Sequence, residues 1–254
     1  LAPQAVDKFY QNYPSDNAWN QATDFSDLLK ALEGLDRHGL NPVHYHLAQL
    51  NKGDLSSAVR DVYATDAWLA AAAHMLYGKL DPVTVEPDWT AIGRQADLVA
   101  ELVTALDNHS IATSLEQFAP KQKGYVALLQ EYQTLRDLND REIVSVPAGP
   151  TLRAGMSNAR VRILQQRLAQ LELLPQMNFD GVMGTDTVNA IETFQAQNEL
   201  ESDGLVGPST LAALNRGPQE KLEKVRVNME RWRWLPDDLG SKHIRVNIAG
   251  FNVA

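Results

Sequence analysis

One pattern occurs twice in this chain, as Phe179-Asp180-Gly181-Val182-Met183-Gly184-Thr185-Asp186-Thr187 and as Ser202-Asp203-Gly204-Leu205-Val206-Gly207-Pro208-Ser209-Thr210. The Asp, both Gly and the final Thr recur at a fixed offset of 23 positions, and the apolar residues that follow keep the same offset. A repeat of this length at one offset is typical of a structural unit used twice. It predicts two copies of one turn, each leading into a helix, within residues 159–214.

Each copy of the repeat has a structural explanation that requires no ligand. In the first copy, the Asp180 side chain is expected to accept hydrogen bonds from backbone N–H groups, and Gly181 to adopt a positive φ. Gly184 is expected to let the backbone pass close to a packed neighbour, and Thr187 to satisfy free N–H groups in the first helical turn. The same roles are predicted for their counterparts, Asp203, Gly204, Gly207 and Thr210.

The composition is that of a folded protein with two or three domains. The chain has 254 residues, of which 44% are hydrophobic and 22% charged, and it contains no run of about eighteen apolar residues that could cross a membrane. Residues 1–150 hold 20 acidic and 11 basic residues, whereas residues 151–254 hold 12 of each. Nucleic acid is disfavoured as a partner because phosphate binding requires a concentrated basic surface.

The first part of the chain, residues 1–145, is predicted to be a helical scaffold domain. Apolar residues recur at helical spacing, and the longest predicted helix is expected to be central to the core. The apolar residues expected on or near one face of it are Leu55, Val59, Val62, Leu69 and Leu76. Gly39 is expected to end one helix, and Asn41 to cap the next. The predicted helices cover residues 25–38, 42–50, 55–77, 92–106 and 120–140, and residues 81–90 are predicted to form a loop.

Three further segments follow the scaffold. Residues 146–157 have the proline and glycine content of a linker, and residues 158–216 are predicted to form a small helical domain. Residues 217–254 begin with a helical pattern over 219–235, and residues 243–248 then alternate polar with apolar, as a half-buried strand does. Since a lone strand is unstable, we expect it to be the first strand of an absent β domain. The predicted fold class is mainly α.

The repeat and the sequence around it resemble the three-helix peptidoglycan-binding domain. The resemblance includes Arg160-Val161-Arg162-Ile163-Leu164-Gln165-Gln166-Arg167-Leu168, both Asp-Gly-x-x-Gly-x-x-Thr turns, and Ala190-Ile191-Glu192-Thr193-Phe194-Gln195. It implies that peptidoglycan is the partner and that the domain binds the cell wall without catalysis. The residues predicted to contact peptidoglycan are polar positions that border the repeat, namely Asn178, Thr185, Asp186 and Asn198.

The last segment resembles the entry to the catalytic domain of scaffold-bearing L,D-transpeptidases. The residues concerned are Asn228-Met229-Glu230-Arg231-Trp232-Arg233-Trp234-Leu235-Pro236, followed by Ile244-Arg245-Val246-Asn247-Ile248. Two scaffold segments support it, Arg37-His38-Gly39-Leu40-Asn41-Pro42 and Gly78-Lys79-Leu80-Asp81-Pro82. The resemblance implies a periplasmic transferase that forms 3-3 crosslinks between diaminopimelate residues.

That family acts through a cysteine in a Ser-x-Gly-Cys segment, with a histidine partner, and this chain contains no cysteine. A thiolate is required to form the acyl-enzyme thioester. We therefore expect no catalytic residue, no cofactor and no activity in this chain. The hypothesis is a non-catalytic front part that binds cell wall and positions the missing catalytic domain, its second partner.

Calcium binding by a dockerin-like module is the main alternative. Such loops place acids at positions 1, 3 and 5, glycine at 6 and a bidentate carboxylate at 12. The second copy offers Glu199, Glu201, Asp203 and Gly204, but position 12 is Thr210. The first copy has Gln176 at position 1 and Thr187 at position 12. A protein-interaction module without wall binding is the other alternative, and an apolar patch between residues 232 and 251 would favour it.

Two other groups of residues suggest simpler roles. His44 and His46 are two positions apart and would point to opposite faces of a helix, so no metal site is predicted. One of Trp232 and Trp234 is expected to pack into the following domain and the other to cover the helix junction, with direct stacking on carbohydrate as the alternative. Arg231 and the neighbouring Arg233 are expected to be solvated, with pairing to stem-peptide carboxylates as the alternative.

Overall fold

A computed structural model describes residues 3–13, 17–139, 143–176, 179–238, 246–247 and 252–253. The chain divides into two compact units, and unit 1 combines Leu1–Thr134 with Leu222–Ala254. Unit 2 is Leu135–Lys221. The fold is mostly helical, which confirms the predicted fold class. None of the helices formed by the described residues is long and apolar enough to span a membrane.

The first eight helices precede the repeat. In chain order they are Pro3–Asn12 (α1), Ala22–Gly34 (α2), Leu47–Leu50 (α3), Ser57–Tyr77 (α4), Pro82–Val85 (α5), Leu98–Asp107 (α6), Ile111–Ser114 (α7) and Lys123–Asn139 (α8), with 3-10 turns at Leu35–His38, Pro42–Tyr45 and Glu116–Phe118.

Helix α4 is the centre of unit 1. It begins after Ser56, whose hydroxyl accepts from the Val59 N–H, and its alanine-rich middle is buried. Trp68 is fully buried there, and its indole N–H donates to Ser114 at 2.8 Å. The burial of Leu69 and Leu76 confirms the predicted central core helix, but Val59 and Val62 near its start are exposed, so the buried face does not extend to them.

Loop chemistry sets several helix ends in unit 1. Gly39 has a φ of +71° after the 3-10 turn that follows α2, and Asn41 caps the next turn, as predicted. The helix predicted from residue 92 instead begins at Leu98, because Asp97 caps it through the N–H groups of two following residues. Ile92 is 80% exposed and lies outside any helix. The predicted loop at 81–90 contains the short helix α5, and α1 was not predicted.

Unit 2 contains Ala159–Gln170 (α9), Thr185–Gln197 (α10) and Pro208–Leu214 (α11). Its core is apolar and includes Val146 and Leu152, so residues of the predicted linker are packed. The other buried core residues come from the three helices and the two turns: Val161, Leu164, Leu168, Met183, Ala190, Ile191, Phe194, Val206 and Leu214.

The last helix, Gln219–Arg233 (α12), is followed by two short strands, Val246–Asn247 (β1) and Asn252–Val253 (β2), which pair antiparallel. Most of the strand predicted at 243–248 lies outside the described residues. The expectation that Arg233 is solvated is wrong, because only 2% of it is exposed. Trp234 is also buried within unit 1, so among the described residues it adds nothing to an apolar patch at 232–251.

Candidate functional site

The first turn of the repeat is organised by the buried side chain of Gln165 on α9. Asp180 Oδ1 accepts from the Val182 N–H at 2.8 Å and from Gln165 Nε2 at 2.7 Å. Gln165 Nε2 also lies 3.1 Å from the Val182 carbonyl and 3.2 Å from Thr187 Oγ1, while its Oε1 accepts from the Gly181 N–H at 2.9 Å. One amide therefore satisfies both donors and acceptors of a turn that opens α10.

The second turn repeats this arrangement around Gln195 on α10. Asp203 Oδ1 accepts from the Leu205 N–H at 2.9 Å and from Gln195 Nε2 at 2.7 Å. Gln195 Nε2 lies 3.0 Å from the Leu205 carbonyl and 3.2 Å from Thr210 Oγ1, and its Oε1 accepts from the Gly204 N–H at 2.9 Å. Corresponding distances in the two turns agree within 0.1 Å, so the repeat extends to its supporting side chain.

The two glutamines were not singled out from the sequence, although a signal was present. Gln165 is four residues after Val161, and Gln195 is four residues after Ile191, so each occupies a position of the apolar helical stripe. A polar residue at such a position must find partners in the core. Because these partners lie in a turn further along the chain, the spacing alone could not identify them.

Two expectations about the turns are corrected. Thr187 Oγ1 accepts from Gln165 and lies 3.4 Å from the Val182 carbonyl, so the hydroxyl serves the turn rather than free N–H groups of α10. No described atom lies within 4 Å of a Cβ built on Gly184 or Gly207, so neither allows a close approach. Both instead occupy the position before a helix, in extended conformation.

A short segment before α9 connects the two turns. Leu152 exchanges backbone hydrogen bonds with Val206 of the second turn, at 3.3 and 3.1 Å. Ser157 pairs with Val182 of the first turn, and the Met183 N–H donates to the Met156 carbonyl at 2.8 Å. This segment thus fixes the two turns relative to each other within unit 2.

The electrostatics of the unit favour stable turns. The hydrogen bond from Gln165, followed by that from the Val182 N–H, lowers the pKa of Asp180. The corresponding bonds lower the pKa of Asp203, with that from the Leu205 N–H foremost. Each carboxylate oxygen Oδ1 therefore faces two N–H donors, which disfavours the calcium hypothesis at the turns. Within the described part of the chain, no group of three His, Asp or Glu residues is arranged to hold a metal ion.

The structure separates the residues predicted to contact peptidoglycan. Thr185 and Asp186 are exposed in the first turn of α10. Asn198 is exposed after the last turn, and its amide donates to the Phe194 carbonyl at 2.8 Å. Thirteen residues of helix separate Thr185 from Asn198 by about 20 Å, so these residues do not form one site. Asn178 lies outside the described residues.

Comparison with known proteins agrees with this geometry. Residues 157–214, which contain the two turns and three helices, match a family described as "Putative peptidoglycan binding domain". This match supports peptidoglycan as a partner of the chain. Residues 4–131 match the family described as "Scaffold domain", which is half of the chain. The chain belongs to the scaffold-domain family.

A curated relative is also associated with the cell wall. The chain is 39% identical over 96 residues to a "Probable N-acetylmuramoyl-L-alanine amidase" from Bacillus licheniformis. The match covers 37% of this chain and 26% of the relative. The chain therefore spans about a quarter of the length of that protein. This match and the peptidoglycan-binding family match together support cell-wall association of the chain.

Proposed function

We propose that this chain is the wall-binding, non-catalytic front of an L,D-transpeptidase that acts in the periplasm on 3-3 crosslinks. Residues 158–216 bind peptidoglycan, and residues 1–145 form the scaffold that positions a catalytic domain. The observation that carries the wall-binding part is the doubled glutamine-supported turn within the region that matches the peptidoglycan-binding family. The transpeptidase part is supported by the Arg-Trp-Arg-Trp segment after it and by the scaffold-domain match.

The charge of residues 158–216 indicates how the binding works. This segment contains seven acidic and four basic residues, and peptidoglycan is zwitterionic to anionic. Charge attraction therefore contributes little, and binding depends on shape and hydrogen bonds. Because screening by salt acts on charge attraction, the affinity should depend only weakly on ionic strength.

Sedimentation with purified sacculi tests the proposal. The full chain is expected to sediment with the sacculi at both low and moderate salt. Protein that stays wholly in the supernatant under both conditions would refute wall binding. Protein that sediments only at low salt would refute the shape-based mode.

The exposed pair Thr185 and Asp186 is the part of the predicted site that we propose contacts the wall. Both lie beside the first turn, whereas Asn198 lies about 20 Å away and bonds within its own helix. Replacing both by alanine should weaken sacculus binding severalfold, and Asn198→Ala is the matched control. Equal binding by the double variant and the wild type would exclude this location.

A further inference from the structure

His74 lies in the last turn of α4, where this helix meets the 3-10 turn at Pro42–Tyr45. Its ring packs edge-on against the ring of Tyr45, with centroids 5.6 Å apart, and its Nδ1 lies 3.0 Å from Tyr45 Oη. Tyr45 is fully buried, whereas His74 is partly buried. The pair therefore joins two elements through side chains that are 29 positions apart in the chain.

The proton in this hydrogen bond belongs to Tyr45. Burial raises the pKa of Tyr45, so its hydroxyl stays protonated, and Tyr45 Oη forms no other hydrogen bond to a residue that the structure describes. Tyr45 Oη therefore donates to His74 Nδ1, which accepts only while the ring is neutral and carries its proton on Nε2. A proton on Nδ1 would leave the buried O–H of Tyr45 without an acceptor, and an unsatisfied buried donor is costly.

The charges around His74 also disfavour a positive ring. Burial, followed by the charge of Lys79, lowers the pKa of His74. Arg233 and His44 act in the same direction, and Glu230 opposes them. The titratable and charged groups that face His74 thus come from the 3-10 turn (His44 and Tyr45), from the segment after α4 (Lys79) and from α12 (Glu230 and Arg233).

The segment that follows His74 supplies two backbone donors to α12. The N–H groups of Lys79 and Leu80 donate to Glu230 Oε1 at 2.5 and 2.9 Å. Lys79 Nζ also donates to His44 Nδ1 of the 3-10 turn at 2.8 Å, because an ammonium group has no acceptor. The 3-10 turn, the end of α4 and Glu230 are therefore held together around a histidine that must stay neutral.

We propose that His74 is an acid-sensitive latch: protonation of its ring releases the end of α4 from the 3-10 turn and weakens the hold of Lys79 and Leu80 on Glu230. The latch makes the attachment of α12 depend on pH. This inference goes beyond the proposed function, and all of its groups lie in unit 1. Loss of sacculus binding would therefore leave it intact.

The direction of the pH effect follows from the lowered pKa of His74. The folded state binds the proton more weakly than an opened state does, so the latch is stable above the ordinary histidine pKa of about 6.5 and loses stability as pH falls below it. Between pH 7.5 and pH 5.5 the opening constant of the segment should therefore rise severalfold. The upper limit is about tenfold, because an opened histidine with a pKa of about 6.5 is largely protonated at pH 5.5.

Hydrogen exchange of the full chain at pH 7.5 and pH 5.5, corrected for the intrinsic exchange rate at each pH, measures this opening at the amides of Lys79 and Leu80. The wild-type opening constant should rise about five- to tenfold on acidification. In His74→Asn it should rise less than about twofold, because asparagine keeps an acceptor near the position of Nδ1 and does not titrate. His109→Asn is the matched control and should keep the wild-type response. His109 Nδ1 lies 2.9 Å from a carboxylate oxygen of Asp24, which also accepts from a protonated ring.

Tyr45→Phe keeps the test decisive if His74→Asn does not fold. This variant lacks the hydroxyl whose proton requires a neutral ring, so its response to acid should be smaller than that of the wild type. A wild-type opening constant that is equal at the two pH values would overturn the proposal, as would a full response in His74→Asn or Tyr45→Phe. Equal acceleration at residues 67–71, in the middle of α4, would also overturn it, because the opening would then be global.

Discussion

Replacing Gln165 by glutamate keeps the shape of the side chain but replaces its N–H donors by a second acceptor oxygen. A carboxylate still accepts from the Gly181 N–H. It has no N–H, however, for the three acceptors that now face Nε2, which are Asp180 Oδ1, the Val182 carbonyl and Thr187 Oγ1. At neutral pH the variant therefore places a second negative charge against an existing carboxylate.

The expected destabilisation at pH 7.5 is about 4 kcal/mol. Loss of the two neutral hydrogen bonds from Nε2 costs about 1 kcal/mol each. Burial beside a like charge should raise the pKa of the new glutamate above its ordinary value, which adds about 2 kcal/mol at pH 7.5. A unit of this size has a total stability of only about 4–13 kcal/mol.

The sign of the pH dependence follows from the raised pKa. The folded state binds a proton more tightly than the unfolded state, so the variant is favoured below the unfolded pKa and loses that stability as pH rises through the folded pKa. At pH 5 more of the new glutamates are protonated in the folded state than in the unfolded state, and the protonated carboxyl regains a donor. The destabilisation should then fall to about 2 kcal/mol.

Urea unfolding of the full chain at pH 5 and pH 7.5 measures this effect. Far-ultraviolet circular dichroism reports on both units, whereas tryptophan fluorescence reports on unit 1 alone, because all five Trp residues lie there. Gln166→Glu, one position along the same helix, is the matched control. Gln195→Glu should reproduce the effect through the second turn. A destabilisation equal to that of Gln166→Glu, or one that does not decrease at pH 5, would refute the reasoning.

Three further predictions concern backbone conformation, acid stability and a buried cation. Gly181 has a φ of +76°, so Gly181→Ala should cost about 1–2 kcal/mol, whereas Gly184→Ala, with a φ of −78°, should change stability by less than about 0.5 kcal/mol in urea titrations. The lowered pKa values of Asp180 and Asp203 contribute stability to unit 2 that is lost as pH falls below about 4. The free energy of unfolding of a D180N/D203N variant, measured by circular dichroism, should therefore decrease less on acidification than that of the wild type. Arg94 donates to three backbone carbonyls within unit 1, so Arg94→Met should lower the free energy of unfolding of unit 1 by about 2–4 kcal/mol, measured as a lower urea midpoint by tryptophan fluorescence.

Local signals in the sequence predicted the helical class and several helix ends. Gly39 acts through its own backbone, and the Asn41 side chain accepts from the Val43 N–H two positions away, so neighbouring residues suffice to predict both. The helix predicted from Ile92 failed because its apolar spacing continues into a loop, where the exposed side chain contributes no core contact. Periodicity reports which residues are apolar and does not report where a cap interrupts the helix.

The contacts that position α12 could not be predicted in this way. Arg233 and Glu230 are charged residues at helical spacing, a pattern that usually indicates a solvated surface. Their burial depends on carbonyl and N–H groups of His38, Lys79 and Leu80, at least 150 positions earlier in the chain. Gly124 shows the same limitation, because its role is to leave space for Trp232.

The two turns show what the repeat requires chemically. Gln165 precedes Asp180 by 15 residues, whereas Gln195 precedes Asp203 by only 8, yet the corresponding hydrogen bonds agree within 0.1 Å. The sequence offset of 23 therefore describes the turns and not the helices that support them. What is held constant is an amide that offers donors to the carboxylate, carbonyl and hydroxyl and accepts from the glycine N–H. Any number of residues between glutamine and turn meets this requirement if it brings the amide to the turn. A search for fixed spacing therefore does not find the glutamines.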